Sequence, residues 1–293
     1  MPLAFSIPVP TNFNLETAVR GHGWYDLAPF AWDAEAKSLT YVLRAKNGNS
    51  VSRAVISEER QAISVRLDRS TIDRDKAERD IRHILRLDDD MSEFYKVAAS
   101  KPGTQWVSSR GAGRLLRSAT VFEDLVKTLC TTNCSWGLTR NMVNNLVTTL
   151  GQPAGKGANA FPTAQAMGSV DEAFYRNEIK AGYRSPYFVE LAQSVASGEL
   201  DPESFLHSDL PTPELKAEIK KIKGFGDYAA DNLLKLLGRN DGLALDSWLR
   251  ARFYAKYSKG KTCHDKRITR HYAKYGKWQG LMIWCDMTED WFE

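Results

Sequence analysis

Hydrophobic positions change period once along this chain. Between residues 38 and 67 they alternate. Ser38-Leu-Thr-Tyr-Val-Leu-Arg44, Ser52-Arg-Ala-Val-Ile-Ser57 and Ala62-Ile-Ser-Val-Arg-Leu67 are short runs rich in β-branched residues, the pattern of half-buried strands. Asn47-Gly48-Asn49 supplies a hairpin turn between the first two. From Asp73 the spacing becomes helical: Ile81, Ile84, Leu85 and Leu87 form one apolar stripe, and charged residues fill the opposite face. Further helical patterns lie at about 119–133, 137–150, 183–197, 212–222, 227–237, 246–257, 265–274 and 278–288, parted by Gly/Pro/Ser loops. The clearest loop is Gly151-Gln-Pro-Ala-Gly-Lys-Gly157, free to move or to meet a phosphate. The order predicts an α+β fold, with a small antiparallel β domain over 1–72 packed on a mostly α-helical domain over 73–293.

One stretch of that helical region carries chemistry. It runs Ile219, Lys220, Lys221, Ile222, Lys223, Gly224, Phe225, Gly226, Asp227, Tyr228. It reads as a helix, a Gly-Phe-Gly hairpin and a second helix, so that 212–238 is a helix–hairpin–helix. Two glycines one residue apart favour a sharp turn with positive φ and bare N–H groups. The helix from Asp227 adds its unpaired amides and positive dipole end, which together suit a phosphate. Past the second helix, Leu243-Ala-Leu245 leads into Asp246. With Ser247, Trp248 and Leu249 behind it, Asp246 also makes a good helix N-cap. The two roles are compatible.

Bulk properties narrow the partners only slightly. Lys+Arg 40 against Asp+Glu 36 over 293 residues give a formal charge of +4, compatible with a basic face for DNA. There is no run of about 18 apolar residues to span a membrane. Met1-Pro-Leu-Ala-Phe-Ser-Ile-Pro8 lacks the basic segment and apolar core of a secretory signal. Cys130, Cys134, Cys263 and Cys285 make neither a disulfide framework nor a metal site by spacing. These features lead to the expectation of a cytoplasmic monomer, nucleoid-associated if bacterial, with no resident metal.

The hairpin followed twenty residues later by Asp246 resembles the helix–hairpin–helix DNA glycosylases. So do Gly113-Arg-Leu-Leu-Arg117, Cys130-Thr-Thr-Asn133, Asn141-Met-Val143, Phe161-Pro-Thr-Ala-Gln-Ala166, Gly182-Tyr-Arg184 and Gly276-Lys-Trp-Gln-Gly280. They fall in the order seen in the 8-oxoguanine and 3-methyladenine glycosylase branch, and the resemblance covers most of the chain from about residue 75. It implies a two-lobed helical bundle and duplex DNA holding a modified base as partner. It also implies a phosphate gripped at Lys223, Gly224, Phe225, Gly226, Asp227 and Tyr228, with a monovalent cation on hairpin carbonyls in some relatives. The closely spaced cysteines of the family's iron–sulfur loop are absent here.

By the same resemblance Asp246 is the catalytic carboxylate. Breaking an N-glycosidic bond develops positive charge on the sugar, which a nearby carboxylate stabilises. Tyr228 stands where the strand-nicking relatives carry a Schiff-base lysine, and Lys220, Lys221, Lys223 and Lys235 do not match that position. The departure points to a monofunctional, water-using enzyme. Asn133, Tyr183 and Arg184 match the residues that fill the hole left by a flipped base and read its orphaned partner. Leu138 replaces a second partner-reading arginine. Ile283 and Met287 fall where the 8-oxoguanine branch places a glutamine and a phenylalanine around the base, and Asn232 replaces a cysteine. His22, Trp248 and Trp284 complete the expected base pocket. The excised base is left open among oxidised purines, alkylated purines and modified pyrimidines, including those of foreign DNA. An 8-oxoguanine-type glycosylase/lyase and a non-catalytic DNA-binding module remain alternatives.

Overall fold

The computed structural model describes residues 2–292. Its N-terminal part is an antiparallel sheet of five strands, β1 (Leu3–Pro8), β2 (Ala31–Asp33), β3 (Ser38–Arg44), β4 (Val51–Glu59) and β5 (Ala62–Leu67), ordered β1-β5-β4-β3-β2. β3, β4 and β5 lie where alternation places them. β1 and β2 escape the pattern because each is an edge strand with one neighbour, and β1 spans an apolar run that ends in proline. Along the inner face Ile7, Leu39, Tyr41, Leu43, Ile56, Ile63, Val65 and Leu67 are buried and join one core with the helices.

The Gly151–Gly157 segment is not the open loop its composition suggests. Pro153–Gly155 (β6) and Ala158–Asn159 (β7) form a small hairpin. Its Ala154, with Ala160, packs on Val42 and Val51, covering the outer face of the sheet. This explains why β3 is apolar at Val42, against its own alternation.

The helices follow the sequence closely, usually ending one to three residues inside the pattern. Val121–Thr131 begins on a threonine N-cap, Thr120 Oγ1 accepting from Glu123 N at 3.2 Å. A buried network ties this helix to the sheet: Tyr41 Oη donates to Glu123 Oε2 at 2.6 Å, and Lys127 Nζ to Glu123 Oε1 at 2.7 Å. Among apolar neighbours such a network fixes one docking geometry more than it adds stability. The far end of the helix, at Thr128 and Thr131, is thereby held facing the C-terminal helices. No helix of the described residues is long and apolar enough to cross a membrane.

Candidate active site

Thr212–Ile219 and Asp227–Leu236 are the two helices of the predicted motif. Only the first hairpin glycine is demanded by the backbone. Gly224 has φ 90°, and a Cβ there would lie 2.6 Å from Leu129 Cδ1 and 2.8 Å from Tyr187 Cδ2. Gly226 has φ −87° and ψ −172°, ordinary extended backbone, with open space around it. The expected pair of positive-φ glycines is therefore one. Phe225, expected at the DNA face, is buried in the core at 4 % exposure, and its amide donates to Ile222 O at 3.1 Å. An anion at this end would meet the N-terminal amides of the Asp227 helix. The neighbouring charges are paired: Lys223 Nζ with Glu190 at 2.7 Å, and Asp227 Oδ1 with Lys220 at 2.9 Å and Lys216 at 3.3 Å. The two lysines hold the Asp227 carboxyl below its usual range through hydrogen bonds.

Asp246 caps Ser247–Tyr257, its Oδ1 accepting from Leu249 N at 2.6 Å. The same carboxylate lines a cleft of about 1120 Å³. Its lead-in is clamped from behind. Gly280 N donates to Asn240 O at 2.7 Å, and Gln279 Nε2 to Asp241 O at 2.6 Å. A Cβ on Gly280 would lie 1.8 Å from Gly242 O, so the second glycine of Gly276-Lys-Trp-Gln-Gly280 is required by close backbone approach. Ala244 is held at φ 50°, the kind of strain that a tightly determined functional loop retains. Tyr228 lines the cleft beside Asp246; burial first, then the Asp246 charge, pushes its phenol up to about 12. It stays protonated at neutral pH.

Four separate stretches close the cleft: Arg20–Asp26, Thr128–Thr139, Tyr228–Leu236 and the Trp248, Trp284 and Trp291 cluster. Trp284 lies 5.7 Å from His22 and 6.0 Å from Trp248, centroid to centroid, and its Nε1 donates to Gly21 O at 2.7 Å. Asn232 also lines the cleft, with Nδ2 donating to Tyr228 O at 2.9 Å. His22 Nδ1 sits 3.0 Å from Leu116 O; because a carbonyl only accepts, Nδ1 carries the hydrogen and Nε2 is left as an acceptor. Burial, reinforced by the Lys235 charge, lowers the His22 pKa to about 3, so the ring is neutral.

Solved structures of low sequence identity share this architecture throughout. A 3-methyladenine DNA glycosylase from Archaeoglobus fulgidus matches with a TM-score of 0.78 at 18% identity, covering 99% of each chain. MBOgg1, solved with a low-affinity DNA ligand, matches at 0.76 and 19% identity over 99% of this chain and 96% of its own. The Clostridium acetobutylicum 8-oxoguanine glycosylase/lyase, in complex with duplex DNA holding cytosine opposite 8-oxoguanine, matches at 0.67 and 18% identity over 92% of each chain. The fold is that of the helix–hairpin–helix DNA glycosylases. No protein-family model matches the sequence, and no curated protein sequence does either.

Within the glycosylase fold, the residues expected to enter the duplex divide. Asn133 and Tyr183 stand exposed and together, Asn133 Nδ2 donating to Tyr183 Oη at 3.2 Å, with Asn133 at φ 45°. Leu138 is exposed as well. Arg184 is not presented to a partner base: at 5 % exposure its Nε donates to Thr132 Oγ1 at 3.0 Å and its Nη2 to Thr132 O, while Tyr183 covers it 4.5 Å away. It braces the Asn133 turn. Ile283 and Met287 face the core and not this cleft; Met287 borders a smaller groove of about 280 Å³ with Arg252, Lys256 and Asp290. Trp284, one position on from Ile283, is the cleft-facing residue of Gln279–Met287.

Sequence reasoning missed the rim. Trp136 Nε1 donates to Asp26 Oδ2 at 2.7 Å and Arg140 Nη1 reaches the same carboxylate at 3.3 Å. Gly23 lies under the Trp136 ring, which comes within 2.7 Å of where a Cβ would be. A tryptophan opening a polar helix, just after Asn133, was the available signal.

Proposed function

We propose that this chain is a monofunctional DNA N-glycosylase, which turns a modified base into the aromatic cleft and hydrolyses its N-glycosidic bond, leaving an abasic site. The observation that carries the reading is the position of Asp246. One oxygen is fixed by the Leu249 amide, and the carboxylate lines a cleft large enough for a base, flanked by the hairpin and the Asn133–Tyr183 pair. A carboxylate held this way meets charge developing on the sugar without reorganising, the source of most electrostatic rate enhancement. The Leu243-Ala-Leu245 lead-in supplies a low-dielectric backing. Tyr228, a protonated phenol beside Asp246, offers no amine for a Schiff base and is suited to donate a hydrogen bond to the carboxylate or the attacking water.

Mass spectrometry of bases released from a panel of modified duplexes tests the activity, and gel analysis of the remaining strand tests the mechanism. A free base and a strand broken only after alkali or heat are expected. Immediate strand cleavage with a borohydride-trapped adduct would overturn the monofunctional reading.

A further inference from the structure

Behind the cleft lies a charge that the hydrolysis does not use. Lys235, on the inner side of Asp227–Leu236, is 2 % exposed, and its Nζ has no hydrogen-bond partner. It stands 4.6 Å from the centre of the Trp284 indole, the same ring that His22 packs against at 5.7 Å and that lines the cleft. A buried ammonium without a partner is unfavourable, and buried polar groups left unpaired call for an explanation. Burial holds the amine down to about 8, against the raising effect of Asp246 and Asp231, so most of it is still charged at neutral pH. Beside it is a neutral His22 whose Nε2 accepts. The floor thus pairs one strong donor with one acceptor around a tryptophan.

We propose that Lys235 and His22 determine which base the cleft takes: a neutral base with a lactam edge, a carbonyl adjacent to a ring N–H, and not a positively charged N-alkylated purine. A carbonyl oxygen satisfies the ammonium, the ring N–H satisfies Nε2, and Trp284 stacks on the base. A cationic base brings like charge against a buried ammonium in a poorly screened site, where repulsion is strongest. The assignment rests on the glycosylase reading above.

Lys235→Met tests it, since methionine keeps most of the stem and removes the charge, and such replacements of buried charge are commonly tolerated. Single-turnover release is measured for duplexes carrying 8-oxoguanine, hypoxanthine or uracil and, separately, N7-methylguanine, with thermal unfolding as a check on folding. The wild type is expected to release at least one lactam base at least tenfold faster than N7-methylguanine, and Lys235→Met to shrink that ratio at least tenfold. His22→Phe is expected to slow the lactam base while leaving the fold intact. A wild type that prefers N7-methylguanine, an unchanged ratio in a folded Lys235→Met, or a borohydride adduct on Lys235 would overturn the assignment. Release of no base from any duplex would instead refute the glycosylase reading itself.

Discussion

The hairpin with Asp246 and the floor of the base pocket meet in one cleft but are built in opposite ways. On the hairpin side, charges lie at the surface and are paired: Lys223 with Glu190, Asp227 with Lys216 and Lys220. Conformation is set over a few residues, by Gly224 at φ 90° and by the Asp246 cap. On the floor, charge is scarce and unpaired. Lys235 has no partner, His22 is neutral, and tryptophans from distant parts of the chain fill the space. A side that grips a repeating phosphate backbone needs local geometry, whereas a side that discriminates bases needs desolvated groups whose contacts are costly to leave unmet.

The strongest way to break the division is to move Asp246 without touching it. Gly280→Ala sets a Cβ against the Gly242 carbonyl, a backbone atom that no rotamer change relieves. A destabilisation of about 4 kcal/mol or more, with slowed base release in whatever remains folded, is expected by denaturant unfolding and single-turnover kinetics. Near-wild-type behaviour would mean that the lead-in to Asp246 is not clamped by the last helices.

The buried charge on the floor predicts a pH signature that the paired surface lysines lack. Lys235 drops from 10.5 in the unfolded chain to about 8 in the fold. Below about 8 both states are protonated and the buried charge burdens the fold in full. Between about 8 and 10.5 the unfolded state holds more protons, so this residue's contribution rises with pH, by up to about 3 kcal/mol. Unfolding of the wild type measured against Lys235→Met from about neutral pH to the lysine range should show the two stabilities converging, and parallel curves would place the amine in water.

A smaller contrast separates the two glycines. Gly224→Ala should cost about 2 kcal/mol, from positive φ and contact with Leu129 and Tyr187, and should weaken binding to undamaged duplex. Gly226→Ala should cost less than about 0.5 kcal/mol in stability, because its φ and surroundings accept a side chain. Equal effects at the two positions would contradict the single-glycine hairpin.

The same division governs what could be read in the sequence. Three inner strands, the helices and the hairpin declare themselves through period and glycine spacing, all local signals. Asp246 is visible through its offset from the hairpin. The edge strands β1 and β2 are not, since half of their environment comes from elsewhere. Alignment on Gly276 and Gly280 places Ile283 and Met287 at the base, yet rotation about the helix axis brings Trp284 to the cleft instead. Arg184 has the donor fork of a base reader, but only the fold shows that fork spent on Thr132. Lys235 reads as one more lysine of a charged segment until burial singles it out.

The central claim, that Asp246 carries glycosidic cleavage as well as a helix cap, is tested most directly by single-turnover base release from a cleaved substrate with Asp246→Asn. Asparagine keeps the cap to Leu249 and the shape of the side chain while losing the charge. Release should fall by a factor of about 100 or more, with duplex affinity and melting temperature nearly unchanged. Release at the wild-type rate would leave Asp246 a helix cap and nothing more.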